Sequence, residues 1–150
     1  MRRAPLLAAA ALAIASPGVG SAYQPAVNYQ LQCMGCHHED GAGDEGRVPS
    51  VRRTLVPLSA FAEGRDFVMR VPGVAQAPLS DAEVAALLNW MARNLSDVPV
   101  PADFVDYTAE EVAMVRHRPL AAVREVRARL LTRIARQQPR LPSAGTPDTR

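Results

Sequence analysis

The chain has 150 residues, which is enough for one compact domain and an appendage, and 48% of them are hydrophobic. Only 5% are aromatic, and the formal charge is +2, from 17 basic and 15 acidic residues. A charge so close to zero excludes a surface that is basic throughout, of the kind a general nucleic-acid-binding protein needs.

The N-terminal segment, residues 1–22, predicts a secretory signal peptide. Arg2 and Arg3 give it a positive start, residues 6–16 form a short apolar run, and small residues precede the expected cleavage after Ala22. The apolar run is shorter than the roughly 20 residues that a membrane-spanning helix needs. We therefore expect a mature protein that is exported to the periplasm.

The next segments alternate between short helices and irregular chain. A helix is predicted at residues 26–33 after Pro25, followed by a loop over residues 38–56 that is punctuated by Gly and Pro. One weak helix is predicted within residues 58–68. Residues 71–78 are again expected to be irregular.

The clearest helix follows that stretch. Ser80 and Glu83 have the spacing of a capping box, in which each side chain satisfies a backbone N–H at the start of the helix. Asn94 and the Pro-containing segment 98–101 end it. One helical face is apolar and consists of Val84, Leu87, Leu88, Met91 and Leu95.

Two further helices are predicted near the C-terminus. Thr108 and Glu111 repeat the capping-box spacing and open a helix that must stop near Pro119. Residues 120–137 predict another helix, which is rich in Arg. Its apolar side consists of Val123, Val126, Leu130 and Ile134.

The pentapeptide Cys33-Met34-Gly35-Cys36-His37 carries the chemistry, because C-x-x-C-H is the signature of haem c attachment. Two thiols about one helical turn apart can form thioether bonds with the two vinyl groups of a haem. His37 follows directly and can present its imidazole to the iron. The sequence therefore predicts one covalently bound haem c, held by Cys33 and Cys36, with His37 as the proximal iron ligand.

Three other interpretations of the two cysteines are weaker. A zinc site needs four ligands at short spacing, and the sequence has no second pair of Cys or His to complete one. A thioredoxin-like C-x-x-C stands beside a βαβ unit, and no strand pattern is present. A disulfide between Cys33 and Cys36 would leave His37 without a role.

From about residue 25 to residue 95, the sequence resembles the class I c-type cytochromes, which are small monohaem electron carriers. In that family an aromatic residue stands four positions before the first Cys, as Tyr29 does, and a Gly-rich loop follows the His, as residues 38–43 do. The final helix of the family opens with a motif like residues 79–83 and carries an inner aromatic residue, as Trp90 does. The resemblance implies that the helices of Tyr29 and Trp90 cross beside the haem edge.

The resemblance also implies two contacts around the iron. Pro49 occupies the place of the family proline whose carbonyl accepts a hydrogen bond from the ligating imidazole. The family usually supplies a Met, followed by Pro, as the second axial ligand, but this sequence has Val71-Pro72 there. Met69 lies two residues earlier, and we predict it as the distal ligand. Alternatively, Met69 is a core residue that packs in an apolar space near the haem.

Several alternatives to Met69 remain open. The iron could lack a strong protein ligand on its distal side. Met91 is better explained by core packing, Met34 lies between the attachment cysteines, and Gln76 would be a weak ligand. Met114 and His117 belong to the appendage and would have to fold back onto the iron.

Charge divides the chain at residue 115. Residues 23–115 carry 6 Arg and 13 acidic residues, a net of −7, while residues 116–150 carry 9 Arg and 2 acidic residues, a net of +7. The basic segment is interpretable as a docking arm for an acidic partner, as a clasp on the acidic domain, or as a helix that simply packs and is solvated. Contact with a membrane surface is disfavoured because the apolar side lacks aromatic residues. Such a tail on an acidic exported domain suits a protein surface better than nucleic acid.

Together these patterns predict an all-α protein: a cytochrome c-like helical domain around one covalent haem, with a C-terminal helical extension. The expected segments are the signal peptide at 1–22, the cytochrome domain at 23–97, a Pro-rich linker at 98–107, the helical extension at 108–137 and a disordered tail at 138–150.

The predicted function is the transfer of single electrons between redox partner proteins, without catalysis. A periplasmic dehydrogenase would be the donor, and an oxidase or a second cytochrome the acceptor. The alternative is a haem enzyme or gas-binding sensor with an open distal iron position. A thioether on the distal side favours ferrous iron and raises the reduction potential, whereas an open position admits water, peroxide or small gases.

Overall fold

A computed structural model of the protein describes residues 23–137, and within this range the chain is helical and has no β-strand. The predicted all-α class is therefore confirmed. The predicted signal peptide, 1–22, and the predicted tail, 138–150, lie outside the described residues. The helices in order are α1 (Pro25–Gln32), α2 (Leu55–Ser59), α3 (Ala62–Arg70), α4 (Pro72–Ala75), α5 (Asp81–Asn94), α6 (Ala109–Val115) and α7 (Val123–Gln137).

Helix α5 forms as its capping residues predict. The Ser80 hydroxyl accepts a hydrogen bond from the Glu83 N–H, and the Glu83 carboxylate accepts one from the Ser80 N–H at 2.8 Å. The predicted apolar face is buried except for Leu95, which caps the helix and is partly buried, and α1 packs against this helix. Helix α5 also contacts α2 and α6, whereas α3 contacts α2, α4, α6 and α7, so these two helices together connect the others. None of the helices in 23–137 combines the length and the hydropathy that crossing a bilayer requires.

Where one weak helix is predicted within 58–68, most of α3 is found, and the end of α2 precedes it. Phe61 has an extended backbone, with φ −150° and ψ 153°, and separates α2 from α3. Gly64 is buried against the Leu58 carbonyl, with no room for a Cβ. Gly64 is the feature of the sequence that indicates a close approach of α3 to α2. In the stretch predicted to be irregular, Pro72 starts the short helix α4 because its fixed φ suits a first helical turn.

The loop after the C-x-x-C-H motif folds on itself. The His38 N–H donates to the Ala42 carbonyl at 2.8 Å, and the Gly41 N–H donates to the His38 carbonyl at 2.9 Å. The Gly41 carbonyl in turn accepts from the Val51 N–H at 3.0 Å. Gly41 has a φ of +80°, which glycine adopts without steric cost. These bonds place residues 49–51 beside the end of α1.

Replacing Gly41 by Ala tests this loop. A Cβ there would lie 2.9 Å from Val51 Cγ2 and 3.1 Å from Leu95 Cβ, and the positive φ would be strained as well. We expect Gly41→Ala to lower the free energy of unfolding by about 2–3 kcal/mol, measured by denaturant titration. Gly46→Ala is the matched control, because Gly46 has a φ of +74° but no atom near its Cβ position. Equal losses in the two variants would contradict the packing argument.

The C-terminal extension packs against the rest of the protein. Helix α6 contacts α5 and α3, and α7 contacts α2 and α3. In the segment predicted as a linker, Tyr107 is 3% exposed, and its hydroxyl lies 2.7 Å from that of Ser59. Asn89 of α5 bonds both the N–H and the carbonyl of Tyr107, at 2.8 and 3.0 Å. Of the interpretations left open, this packing favours a clasp.

Only half of the predicted capping box at Thr108 is formed. Its hydroxyl accepts a hydrogen bond from the Glu111 N–H at 3.2 Å. The Glu111 carboxylate instead binds the guanidinium of Arg65 on α3, with contacts of 2.5 and 2.7 Å. A carboxylate that the sequence assigns to a local cap is therefore used to attach α6 to α3.

Buried Arg116, at the end of α6, attaches the extension through several hydrogen bonds. It is 4% exposed and donates to the carbonyls of Leu79 at 2.7 Å, of Ala75 at 3.3 Å, and of Ala77. It also pairs with Asp81 at 3.1 Å. One side chain from the extension thus holds the whole segment between α4 and α5.

Candidate haem site

A cavity of about 380 Å³ lies between the end of α1, the 49–51 loop and helices α2, α3, α4, α5 and α7. This volume is in the range of pockets that bind organic ligands. Cys33, Cys36 and His37 all line it. Most of the remaining wall is apolar and includes Leu55, Leu58, Phe67, Val68, Val71, Val74, Val84, Leu87, Leu88 and Met91.

The end of α1 positions the three motif side chains. The Cys33 N–H donates to the Tyr29 carbonyl at 2.9 Å and ends the helix. The chain then makes one more turn, because the N–H groups of Cys36 and His37 donate to the Cys33 carbonyl at 3.0 and 2.8 Å. This turn brings two sulfur atoms and one imidazole to the same cavity.

Both cysteines are free thiols in this structure. Burial, and then the neighbouring Cys36, raise the pKa of the Cys33 thiol to about 11. Reactive dithiols of redox enzymes have lowered pKa values, so this environment is opposite to theirs. Within residues 23–137 no group of three or more His, Cys, Asp and Glu side chains could hold a metal ion. The geometry therefore favours neither a redox dithiol nor a zinc site.

The His37 imidazole is half-buried, and its Nδ1 atom is enclosed without a hydrogen-bond partner. Burial, and then the nearby His38, lower the pKa of His37, which favours the neutral ring that binds metals. Pro49 lines the same cavity, but the hydrogen bond expected at its carbonyl is not formed here. A buried nitrogen without a partner needs an explanation. Nδ1 is the nitrogen that would donate to the Pro49 carbonyl if the opposite ring nitrogen bound iron.

Tyr29 and Trp90 meet as the resemblance implies. Their ring centroids are 5.7 Å apart, with an interplanar angle of 43°, at the contact between α1 and α5. The Tyr29 hydroxyl donates to the His38 carbonyl at 2.6 Å. Neither residue is part of the cavity wall. They connect α1, the loop after His37 and α5, and so help to position the site although they do not line the cavity.

Met69, the predicted distal ligand, is 2% exposed and packed in the core. Its neighbours Val68 and Val71 line the cavity, whereas Met69 does not. Val68 occupies the cavity-facing position of α3 and leaves Met69 on the other side. Of the other methionines considered, Met91 lines the cavity and Met114 is 70% exposed.

The sequence analysis missed the wall that α7 contributes. Val123 and Arg127 both line the cavity. The signal was available, because residues four apart lie on one helical face, and Arg127 follows Val123 by four. The charge of Arg127 instead grouped it with the polar remainder of the helix. Ser50 and Thr54, which also line the cavity, were likewise not predicted from the sequence.

These features fit a haem: an apolar cavity, two free thiols at its edge and an imidazole with an unsatisfied nitrogen. No protein-family model matches the chain. Two curated proteins, both named cytochrome c-552 and both from Thermus thermophilus, are similar to it. One is 29% identical over 121 residues, which cover 69% of this chain and 82% of the relative. The other is 31% identical over 107 residues, which cover 59% of this chain and 82% of the relative. The chain therefore belongs to the c-type cytochromes, the haem proteins that transfer electrons.

Proposed function

We propose that this chain is an exported monohaem cytochrome that carries single electrons between a periplasmic dehydrogenase and a downstream acceptor. Cys33 and Cys36 would hold the haem covalently, and His37 would bind its iron. The observation that supports this assignment is the convergence of these three side chains on one apolar cavity. When bound, haem c supplies an iron that alternates between the ferrous and ferric states.

The residues around the motif have supporting roles in this proposal. The apolar wall excludes water from the cofactor and thereby influences its reduction potential. The Pro49 carbonyl would accept a hydrogen bond from the free imidazole nitrogen and fix the tautomer of His37. The contact between Tyr29 and Trp90 would hold α1 against α5, so that the thiols stay at the edge of the cavity.

The cavity reaches the surface beside Cys36, which is exposed. Electrons could thus be exchanged at this edge without a channel for a substrate. An oxidase or a second cytochrome would be the acceptor. This arrangement suits a carrier, whereas an enzyme needs room for a substrate at the iron.

The position of Met69 supports a second candidate function. Because Met69 does not line the cavity, the distal side of the iron could remain open to small ligands. The protein would then be a haem enzyme or a gas-binding sensor. Met91, which lines the cavity, is the methionine that could preserve the carrier function.

Absorption spectra of the purified protein in both redox states test the proposal. We expect a haem c spectrum whose pigment stays with the polypeptide after acid–acetone extraction. A carrier with a thioether ligand should be low-spin when ferric, with a far-red sulfur-to-iron band. A high-spin ferric spectrum and rapid binding of carbon monoxide by the ferrous form would support the sensor or enzyme instead. Extraction of all pigment would contradict covalent attachment.

A further inference from the structure

The C-terminal extension places a cation at the haem cavity. Arg127 of α7 lines the cavity together with Cys33, Cys36 and His37, and these are the titratable groups of its wall. The side chain is partly buried, and burial lowers the pKa of its guanidinium. Removing a guanidinium from water is unfavourable unless an anion compensates for the loss.

The carboxylates of α3, which contacts α7, are already used by other arginines. Glu63 binds Arg133, and Asp66 is shared by Arg70 and Arg118 at 2.6 and 3.0 Å. Arg127 forms no hydrogen bond or ion pair with another residue of 23–137. Its neighbours in the cavity wall are thiol, imidazole or apolar groups. Within residues 23–137, the cation at the cavity therefore has no ion-pair partner.

We propose that Arg127 binds a carboxylate of the haem, so that the extension takes part in holding the cofactor. This inference rests on the proposed function. A haem carries two propionate carboxylates, which are the anions that it would bring to this wall. The planar guanidinium matches a carboxylate with two parallel hydrogen bonds. The clasp would thus be attached to the cofactor as well as to α3 and α5.

The test compares the haem-loaded variants Arg127→Gln and Arg127→Lys with the control Arg129→Gln. Arg129 is exposed on the same helix and does not line the cavity. Resonance Raman spectra report hydrogen bonding to the propionates through their bending band, and redox titration reports the midpoint potential. Both measurements are made on the full chain at several pH values.

We expect Arg127→Gln to shift the bending band and to lower the potential, because losing a positive charge near the iron stabilises the ferric state relative to the ferrous state. The pKa of the paired haem carboxyl should rise, because the cation that favours its charged form is lost, and the pH dependence of the potential should move to higher pH. Arg127→Lys should keep most of the potential but still alter the band, since an ammonium lacks the two-pronged geometry. Arg129→Gln should match the unmodified protein.

Two results would overturn the inference. One is an unchanged band and potential in Arg127→Gln. The other is an unchanged band with weakened binding of cyanide to the ferric protein, which would place Arg127 beside an anion on the iron instead. Either result leaves the proposed function intact, because the protein still carries haem. A protein without any haem would contradict the proposed function itself.

Discussion

The Cys33→Ser, Cys36→Ser double variant is expected to keep no haem through denaturation, and the part of it that has lost its haem is expected to lose its stable fold. Serine keeps nearly the size of cysteine but cannot form a thioether, so the change isolates the covalent bonds. The haem is needed for more than electron transfer, because the cavity would otherwise stand empty among apolar side chains. Haem staining after denaturing electrophoresis measures attachment, and circular dichroism measures the remaining fold.

The volume of the cavity indicates how large the loss should be. An empty apolar cavity costs about 24 cal/mol per Å³, so 380 Å³ corresponds to an upper limit of about 9 kcal/mol. A small domain is stable by only about 5–15 kcal/mol. Water entering beside Cys36 reduces the cost below this limit. The haem-free chain should nevertheless unfold at much lower temperature than the loaded protein.

Met34→Ala is the matched control for the double variant. Met34 lies between the two cysteines, is 36% exposed and does not line the cavity. It should keep both the haem and the fold. If the double variant kept a haem that survives denaturation, the assignment of Cys33 and Cys36 would be wrong.

Arg116→Met should lower the free energy of unfolding by about 2–4 kcal/mol. Methionine fills much of the space of arginine, but it removes the guanidinium that donates to the carbonyls of Ala75, Ala77 and Leu79. The Ala77 carbonyl keeps the N–H of Leu79 at 2.8 Å. A buried acceptor that loses its partner costs about 1–3 kcal/mol, and the partial exposure of these carbonyls reduces that cost. Chemical denaturation of the haem-loaded protein, followed by tryptophan fluorescence, measures the loss.

Arg118→Met is the control for Arg116, since Arg118 is two positions away and its side chain is 60% exposed. Its ion pair with Asp66 should contribute about 0–1 kcal/mol. The Arg116 variant should also bind added imidazole faster at the iron, because Val74 and Ala77, which line the cavity, belong to the segment that it releases. A loss no larger than that of Arg118→Met would show that the extension is not held by Arg116.

Local sequence signals predicted the parts of this fold that local interactions determine. The capping box at Ser80 and the apolar spacing after it gave α5 correctly, because both depend on residues within one or two turns. The break between α2 and α3 at Phe61 was missed, since it depends on Gly64 meeting α2. The use of Glu111 by Arg65 was missed for the same reason, because the partner lies in another helix.

The candidate site divides in the same way. The C-x-x-C-H motif is contiguous, so its three side chains could be assigned to one site from the sequence alone. Met69 was predicted as the distal ligand because it lies two residues before the position at which the family usually has its ligating Met. Which side of α3 faces the cavity, however, depends on how the helix packs. Arg127 was not predicted as part of the site, because the role of a charged residue on an apolar helical face depends on the groups that it faces in other parts of the fold.

The wall contributed by α7 has a consequence for the order of events during synthesis. A ribosome makes the N-terminal part of a chain first, so the thiols of Cys33 and Cys36 exist long before Arg127 does. A nascent chain that ends before α7 already contains the whole attachment motif, beside a cavity that still lacks one side. Covalent attachment in the proposed function would need the motif and not α7, so the last helix would enclose a haem that is already bonded to the chain.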